Sequence, residues 1–392
     1  MEAVNAMQSA VRGRWAVAAM FFINGFLTGS WAPQIPVFLA RLDISKFTLG
    51  LLILGFGLGA LVFMPLSGYL MSRHGSRAVL RGFASVAVFA LLLVALAPNV
   101  PLAAVAMVLF GGFAGGMDVA MNANAVAVER RLSRAVMSSS HGFWSLGGFA
   151  GGGAGGMVIQ NFGPVIHAAL VTAVAIAMLA VAAPRLVADH RQPAAHAHRK
   201  FSLPASPAIY LVGLMALLSM IPEGAILDWA ALYLKQELGA DLATAGLAFA
   251  FFSGTMSLMR FAGDGVRNRF GAVKTLRISS LIAAFGILVA ALAPWPWLAI
   301  AAFSFAGLGI ANMVPIAFSA GGNQPGLAPG TGMSVVTTMG YSGILIAPSA
   351  IGFAAEHVGF SPVFVVLAGF LVVVCLMSNL ARGADFAPQP AE

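Results

Sequence analysis

The sequence predicts an all-α membrane protein with twelve transmembrane helices in two six-helix pseudo-repeats. Three observations carry this. Of 392 residues, 60% are hydrophobic and only 9% charged, with a mean hydropathy of +0.92; soluble domains carry about 25% charged residues. The apolar residues fall into twelve stretches, each near the roughly 20 residues that a spanning helix needs. The halves also repeat: Arg73-x-Gly75-x5-Arg81 returns as Arg269-x-Gly271-x5-Arg277, 196 residues later, and at that spacing Gly111 matches Gly307 and Met117 matches Met313.

In order, the stretches are roughly 15–39, 48–70, 78–98, 102–126, 136–159, 164–183, 208–234, 243–264, 274–293, 297–320, 331–354 and 361–381. The first is too long, and too rich in Pro and Gly at its far end, for a cleaved signal peptide. Connections are short except at 184–207, which holds Arg185, Asp189, His190, Arg191, His196, His198, Arg199 and Lys200. That linker separates an N-terminal bundle, 1–183, from a C-terminal bundle, 208–392. Its histidines are few and irregular, so it reads as solvated chain and not as a metal site. The 45 glycines suit closely packed membrane helices. Cys375 has no partner cysteine, which removes an internal disulfide.

A pI of about 10.4 would suit a nucleic-acid binder, but the placement of the charges does not. With both termini cytoplasmic, seventeen of the 21 Lys and Arg residues fall on the inside, from Arg12 to Arg382. Only Arg41, Lys46 and Lys235 fall outside, and Arg260 lies within the eighth helix. This is a strong positive-inside bias spread over many short loops. It predicts a multi-pass protein of the cell inner membrane, surrounded by lipid bilayer and binding no nucleic acid.

A carboxylate inside a spanning helix is costly, by roughly 2.5 kcal/mol or more, so each one is a candidate site. The seventh stretch holds two, Glu223 and Asp228, with Trp229 beside the second and Pro222 and Gly224 flanking the first. Pro222 removes a backbone hydrogen bond and kinks the helix. Glu223 at that kink is either a gated proton site or a structural acid paired with a neighbouring Arg. On helix 4, Asp118, Asn122 and Glu129 stand at i, i+4 and i+11 and share a face. Glu129, near the surface, is expected in a loop ion pair; Asp118 is the second candidate for proton coupling. On helix 5, His141 shares a face with Ser145 and could relay protons near neutrality. Asn24, Trp31 and Gln34 on helix 1, Asn312 on helix 10 and Tyr341 on helix 11 complete a set of amides, hydroxyls and rings. Together with Asn122, Asp228 and Trp229 they suit a hydroxylated substrate, or serve as glue between helices. Trp31 and Trp229 are expected to face a shared opening.

The stretch Gly68-Tyr69-Leu70-Met71-Ser72-Arg73-His74-Gly75-Ser76-Arg77 resembles the loop 2–3 motif of the major facilitator superfamily, G-x-x-x-D-R-x-G-R. The resemblance extends over the whole chain and implies the major facilitator fold, with a substrate site near the midplane between the repeats. It also implies a cytoplasmic gate formed by Gly68, Arg73, Gly75 and Arg77. Here Ser72 stands where the motif has Asp; in the second copy Asn268 does, and Asp264 appears one turn earlier, beside Arg260. Arg260, Asp264 and Arg269 are therefore expected to carry the second half of the gate. A narrower resemblance, to the MosC-like branch, rests on Met117-Asp118-Val119-Ala120-Met121-Asn122-Ala123, on Met137-Ser138-Ser139-Ser140-His141-Gly142, on Trp31-Ala32-Pro33-Gln34-Ile35-Pro36 and on Glu223-Gly224 with Asp228-Trp229. It implies transport of sugar- or inositol-like compounds. The position of Gln34 is often Arg in that branch, which implies a different charge preference here. The run from Gly147 to Gly156 lacks the Gly-Pro pair of the exporters' antiporter motif and reads as close packing.

No H-e-x-x-H, C-x-x-C or P-loop pattern is present, which argues against an enzyme, and no cofactor is implied. A sensor would need an extramembrane domain larger than 184–207. The sequence thus predicts a monomeric secondary transporter of a small polar, sugar- or polyol-like molecule, coupled to protons. The alternative is a proton-driven exporter of a metabolite or drug.

Overall fold

The computed structural model describes residues 2–132, 136–188, 206–324 and 331–384, and among these all regular structure is helical. Eleven helical stretches are long and apolar enough to cross a membrane. They are α1 (Ala10–Leu42), α2 (Lys46–His74), α3 (Ser76–Leu96), α4 (Val100–Leu132), α6 (Pro164–Arg185), α7 (Pro207–Gln236), α8 (Leu242–Phe270), α9 (Ala272–Ala291), α10 (Pro296–Gly322), α11 (Thr331–Val358) and α12 (Phe360–Ala384). The Gly-rich α5 (Met137–Phe162) is the twelfth. The helices stand close to the stretches expected from the sequence. Most of 184–207 lies outside the described residues.

Local chemistry sets the ends and breaks. Pro33 and Pro36 lack the amide a helix needs, and α1 passes through a 3-10 turn at Ala32–Gln34. Pro315 removes the amide that would bond Ala311, and α10 breaks at Ala311–Asn312. Ser45 caps α2 by accepting from the Thr48 amide at 3.1 Å, and Asp241 caps α8 by accepting from the Thr244 amide at 2.7 Å. The second bond holds the Asp241 carboxyl below its ordinary value. α2 turns into α3 at Gly75 and α8 into α9 at Gly271, with φ of 78° and 76°, angles at which a β-carbon is strained. In both pairs the members lie 196 residues apart.

The same spacing governs how the halves meet. They touch along two seams, α5 against α8 and α2 against α11. A β-carbon on Gly156 of α5 would collide with the Leu242 carbonyl oxygen of α8; one on Gly352 of α11 would collide with that of Lys46 in α2. A β-carbon on Gly246 would stand 2.9 Å from the Gly152 carbonyl oxygen, and one on Gly50 2.6 Å from that of Pro348. At the end of each seam a side chain from one half caps a helix of the other. Gln160 Oε1 accepts from the Ala243 amide at 3.1 Å, and Glu356 Oε2 from the Phe47 amide at 3.1 Å. Every residue in one seam lies 196 positions from its counterpart in the other. Lys46 strengthens the second, its Nζ donating to the Ala355 carbonyl at 3.0 Å and standing 4.7 Å from the Phe360 ring centre.

The α2–α11 seam runs down to Gly57, whose β-carbon would stand 2.6 Å from Leu345. One turn further, Tyr341 is 44% exposed, and nothing lies within 4 Å of a β-carbon on Gly68. The halves are closed at the end that carries Lys46, Asp241 and Glu356; toward the other end the α2–α11 seam opens below Gly57, while the α5–α8 seam continues to Gly142 and Phe261. Backbone contact in the seams requires hydrogen as the side chain. Changing both Gly156 and Gly352 to Val should part the closed end. In a Cys375→Ser background, a cysteine at the buried Ile53 should then react several-fold faster with an aqueous thiol reagent; an unchanged rate would show that the seams do not hold that end shut.

Candidate functional site

Where the α2–α11 seam ends, polar side chains from both halves converge. Ser253, Ser257 and Arg260 lie at i, i+4 and i+7 on one face of α8. The first two donate to the Ser145 and Gly142 carbonyls of α5, each at 2.8 Å. Arg260 continues that row. Its Nη1 donates to Ser145 Oγ at 2.7 Å, and its Nη2 to Glu223 Oε1 of α7 at 3.1 Å. The Arg260 and Glu223 side chains are 15% and 24% exposed, so the ion pair is largely shielded. It spans α7 and α8, and through Ser145 it reaches the other half.

The remaining charges gather round this pair. His141, one turn before Ser145, stands in the field of Arg260 and packs edge-on against Phe21, with ring centres 5.0 Å apart. Tyr341 of α11 lies within the fields of both Asp118 and Glu223. Asp118 faces the group from α4, where its backbone carbonyl accepts from Asn122 Nδ2 at 2.9 Å. The structure therefore brings together Glu223, Asp118, His141, Tyr341 and Asn122, and adds Ser145. The site holds one guanidinium, two carboxyl groups, an imidazole, an amide, a phenol and a hydroxyl.

Several expected residues stand elsewhere. Arg260, expected at the cytoplasmic gate beside Asp264, pairs with Glu223; the Asp264 side chain lies outside the described residues. Glu223, with no basic residue within a turn of it in sequence, gains one from the neighbouring helix. Asn24 ties three helices, donating to the Ala114 carbonyl at 3.0 Å and accepting from Trp144 Nε1 at 2.9 Å. Gln34 is buried and donates to the Pro164 carbonyl at 2.8 Å, with His167 Nδ1 at 2.9 Å, so it fastens α1 to α6. Trp31 and Trp229 do not face a shared opening: they are 3% and 0% exposed and pack against Phe38 and Phe360 respectively. Asn312 sits at the α10 break, its Oδ1 against Gly263. Glu129, expected in an ion pair, caps α5 by accepting from the Val136 and Met137 amides at 2.7 and 2.9 Å. At the end that carries Arg73 and Arg269 the gate residues make local contacts. Ser72 donates to the Tyr69 carbonyl at 2.7 Å, the Arg73 guanidinium lies 4.7 Å from the Tyr69 ring centre, and that of Arg269 lies 5.6 Å from the Phe270 ring centre.

Twelve helices in two repeats around a charged centre define a membrane transporter. The model of the Major Facilitator Superfamily matches residues 17–322 and 212–391, and the chain belongs to that superfamily. It is 36% identical over 371 residues to an uncharacterized transporter, y4wD, of Sinorhizobium fredii, covering 93% of this chain and 97% of that one. It is 32% identical over 384 residues to the membrane protein MosC of Rhizobium meliloti, covering 96% and 92%. Among solved structures, a mutant of the nucleoside transporter NupG superposes with a TM-score of 0.74 at 14% identity, over 94% of this chain and 99% of that one.

Removing one partner of a shielded ion pair strands the other, at about 3–5 kcal/mol. Arg260→Met should therefore lower the melting temperature markedly, and adding Glu223→Gln should recover part of the loss. Strictly additive losses in this thermal double-mutant cycle would mean that the two residues are not coupled.

Proposed function

We propose that the chain is a secondary active transporter that moves a small sugar- or polyol-like molecule across the inner membrane by alternating access, coupled to protons. The observation that carries this is the Ser145–Arg260–Glu223 chain of hydrogen bonds, lying where the α2–α11 seam between the halves ends. The guanidinium, the amide of Asn122 and the phenol of Tyr341 offer donors, and the carboxyl groups offer acceptors, for a hydroxylated solute. Glu223 couples the proton. While ionised it holds Arg260; when protonated it releases the guanidinium to donate to substrate oxygens. Asp118 and His141 are the adjacent proton-accepting groups. The resemblance of the sequence motifs to the MosC-like branch is what implies a sugar- or inositol-like substrate.

The positive-inside bias supports a cytoplasmic side that carries both termini and the Arg73 and Arg269 turns. The sealed end is then the outer one, and the conformation is inward-facing. Residues 1–183 and 208–392 act as the two rocking bundles of a monomer, joined by a cytoplasmic linker at 184–207.

Two measurements test this. With Cys375→Ser as background, an impermeant thiol reagent applied outside should label a cysteine at Asp241 and spare one at Arg185; the reverse would overturn the topology. In proteoliposomes, Glu223→Gln imitates the protonated acid. It should abolish proton-driven accumulation of the polyol or sugar and leave counterflow exchange, which needs no net proton movement. Accumulation with unaltered pH dependence would remove Glu223 from the coupling step.

A further inference from the structure

Asp228 takes no part in the central cluster. Five residues separate it from Glu223, which on a helix is about 140° of rotation and about 7.5 Å of rise. Glu223 therefore faces α8 while Asp228 faces α11. There it lies against a small cavity of about 10 Å³, room for one water-sized occupant, walled by Ile221, Ala225, Trp229, Ile344, Ala347 and Pro348. Asp228 is 7% exposed, and no hydrogen bond or ion pair to its carboxyl group occurs among the described residues. A buried carboxylate without a partner costs several kcal/mol, far too much to be left uncompensated.

A second acceptor lies in the same wall. Pro348 is inside α11 and has no amide hydrogen. The carbonyl oxygen that this amide would have bonded, that of Ile344, is deprived of its helical partner. Ile344 and Pro348 both line the pocket. The carboxylate and the freed carbonyl lie on facing walls with mainly apolar side chains between; the one donor among the lining residues is Trp229 Nε1, which has no hydrogen-bond partner among the described residues. Broken helices use freed carbonyls in this way to hold coupling cations.

We propose that this pocket is a second cation site, in which a proton on the Asp228 carboxyl or a sodium ion is held between Asp228 and the Ile344 carbonyl. The inference rests on the reading of the chain as an ion-coupled transporter. No other titratable side chain lines the pocket. On the helices packed around it, Glu223 is engaged by Arg260, Lys46 lies on the Ala355 carbonyl, Glu356 on the Phe47 amide, and Arg41 on the Ala97 and Val94 carbonyls. Tyr341, one turn before Leu345 on α11, belongs to the central cluster. The site is also tied to the closed end, because Gly50 of α2 lies against the carbonyl of Pro348. Parting the α2–α11 seam moves one wall of the pocket, so its occupant and the position of that gate are linked.

The test uses the purified full chain in detergent. The melting temperature is measured against sodium chloride, with choline chloride holding ionic strength constant, and against pH from mildly acid to mildly alkaline. Wild type, Asp228→Asn, Pro348→Ala and Glu223→Gln are compared. A ligand that binds only the folded state raises its stability. A sodium-dependent rise in wild type, absent in Asp228→Asn and weakened in Pro348→Ala, supports a sodium site. A pH-dependent shift lost in Asp228→Asn but kept in Glu223→Gln supports a proton site. Equal responses in wild type and Asp228→Asn to both variables overturn the proposal. Pro348→Ala leaves the acid intact and so guards against a folding defect in Asp228→Asn. Polyol counterflow by the wild type is scored separately: its absence would sink the transport reading while leaving the cation response to be judged by itself.

Discussion

The structure depends on one constraint: at the closed end, helices of opposite halves approach to backbone contact. No membrane-exposed surface needs this closeness, and lipid gives helices little hydrophobic reason to associate. What favours the approach is close packing and hydrogen bonds between side chains of one half and main-chain groups of the other, and only a residue without a side chain permits it. Gly156, Gly352, Gly50 and Gly246 supply that at four points. The polar centre follows from it. Because α5 lies against α8, Ser253 and Ser257 reach carbonyls across the seam, and Arg260 reaches Ser145. The same seam therefore holds the halves and presents the charge.

The centre is built for exchange of partners. Arg260 divides its donors between Ser145 of one half and Glu223 of the other. A guanidinium so placed changes its allegiance whenever the charge on Glu223 changes, and the relative position of the halves feels the difference. Two carboxyl groups against one guanidinium also leave the cluster with an acceptor to spare, which suits a site that must take up positive charge along with a neutral solute.

Much of this fold was legible in the sequence, because membrane spans announce themselves by length and polarity. The repeat was legible as well: the 196-residue spacing seen in Arg73 and Arg269 recurs in the seam glycines, in the two helix caps and in the paired turns. The identity of the central acids could be read, since a carboxylate within a span stands out. Their partners could not. The pairing of Arg260 with Glu223 joins residues 37 apart on different helices, and no sequence spacing points to it. The roles of Asn24, Gln34 and Glu129 were hidden for a similar reason: each binds a backbone group, and backbone groups leave no trace in side-chain spacing. The row Ser253, Ser257, Arg260 was the signal that sequence reasoning missed.

The two seams are copies in backbone but not in side chain. Where one has Gln160, the other has Glu356; where one has Gly152, the other has Pro348. A hydrogen bond to a carboxylate is about twice as strong as one to a neutral amide, and Lys46 adds its own bond beside Glu356. The molecule is thus like a two-leaf door with unequal fastenings. Its geometric twofold symmetry does not extend to the work needed to separate each leaf, so a motion that looks even-handed in outline is lopsided in cost.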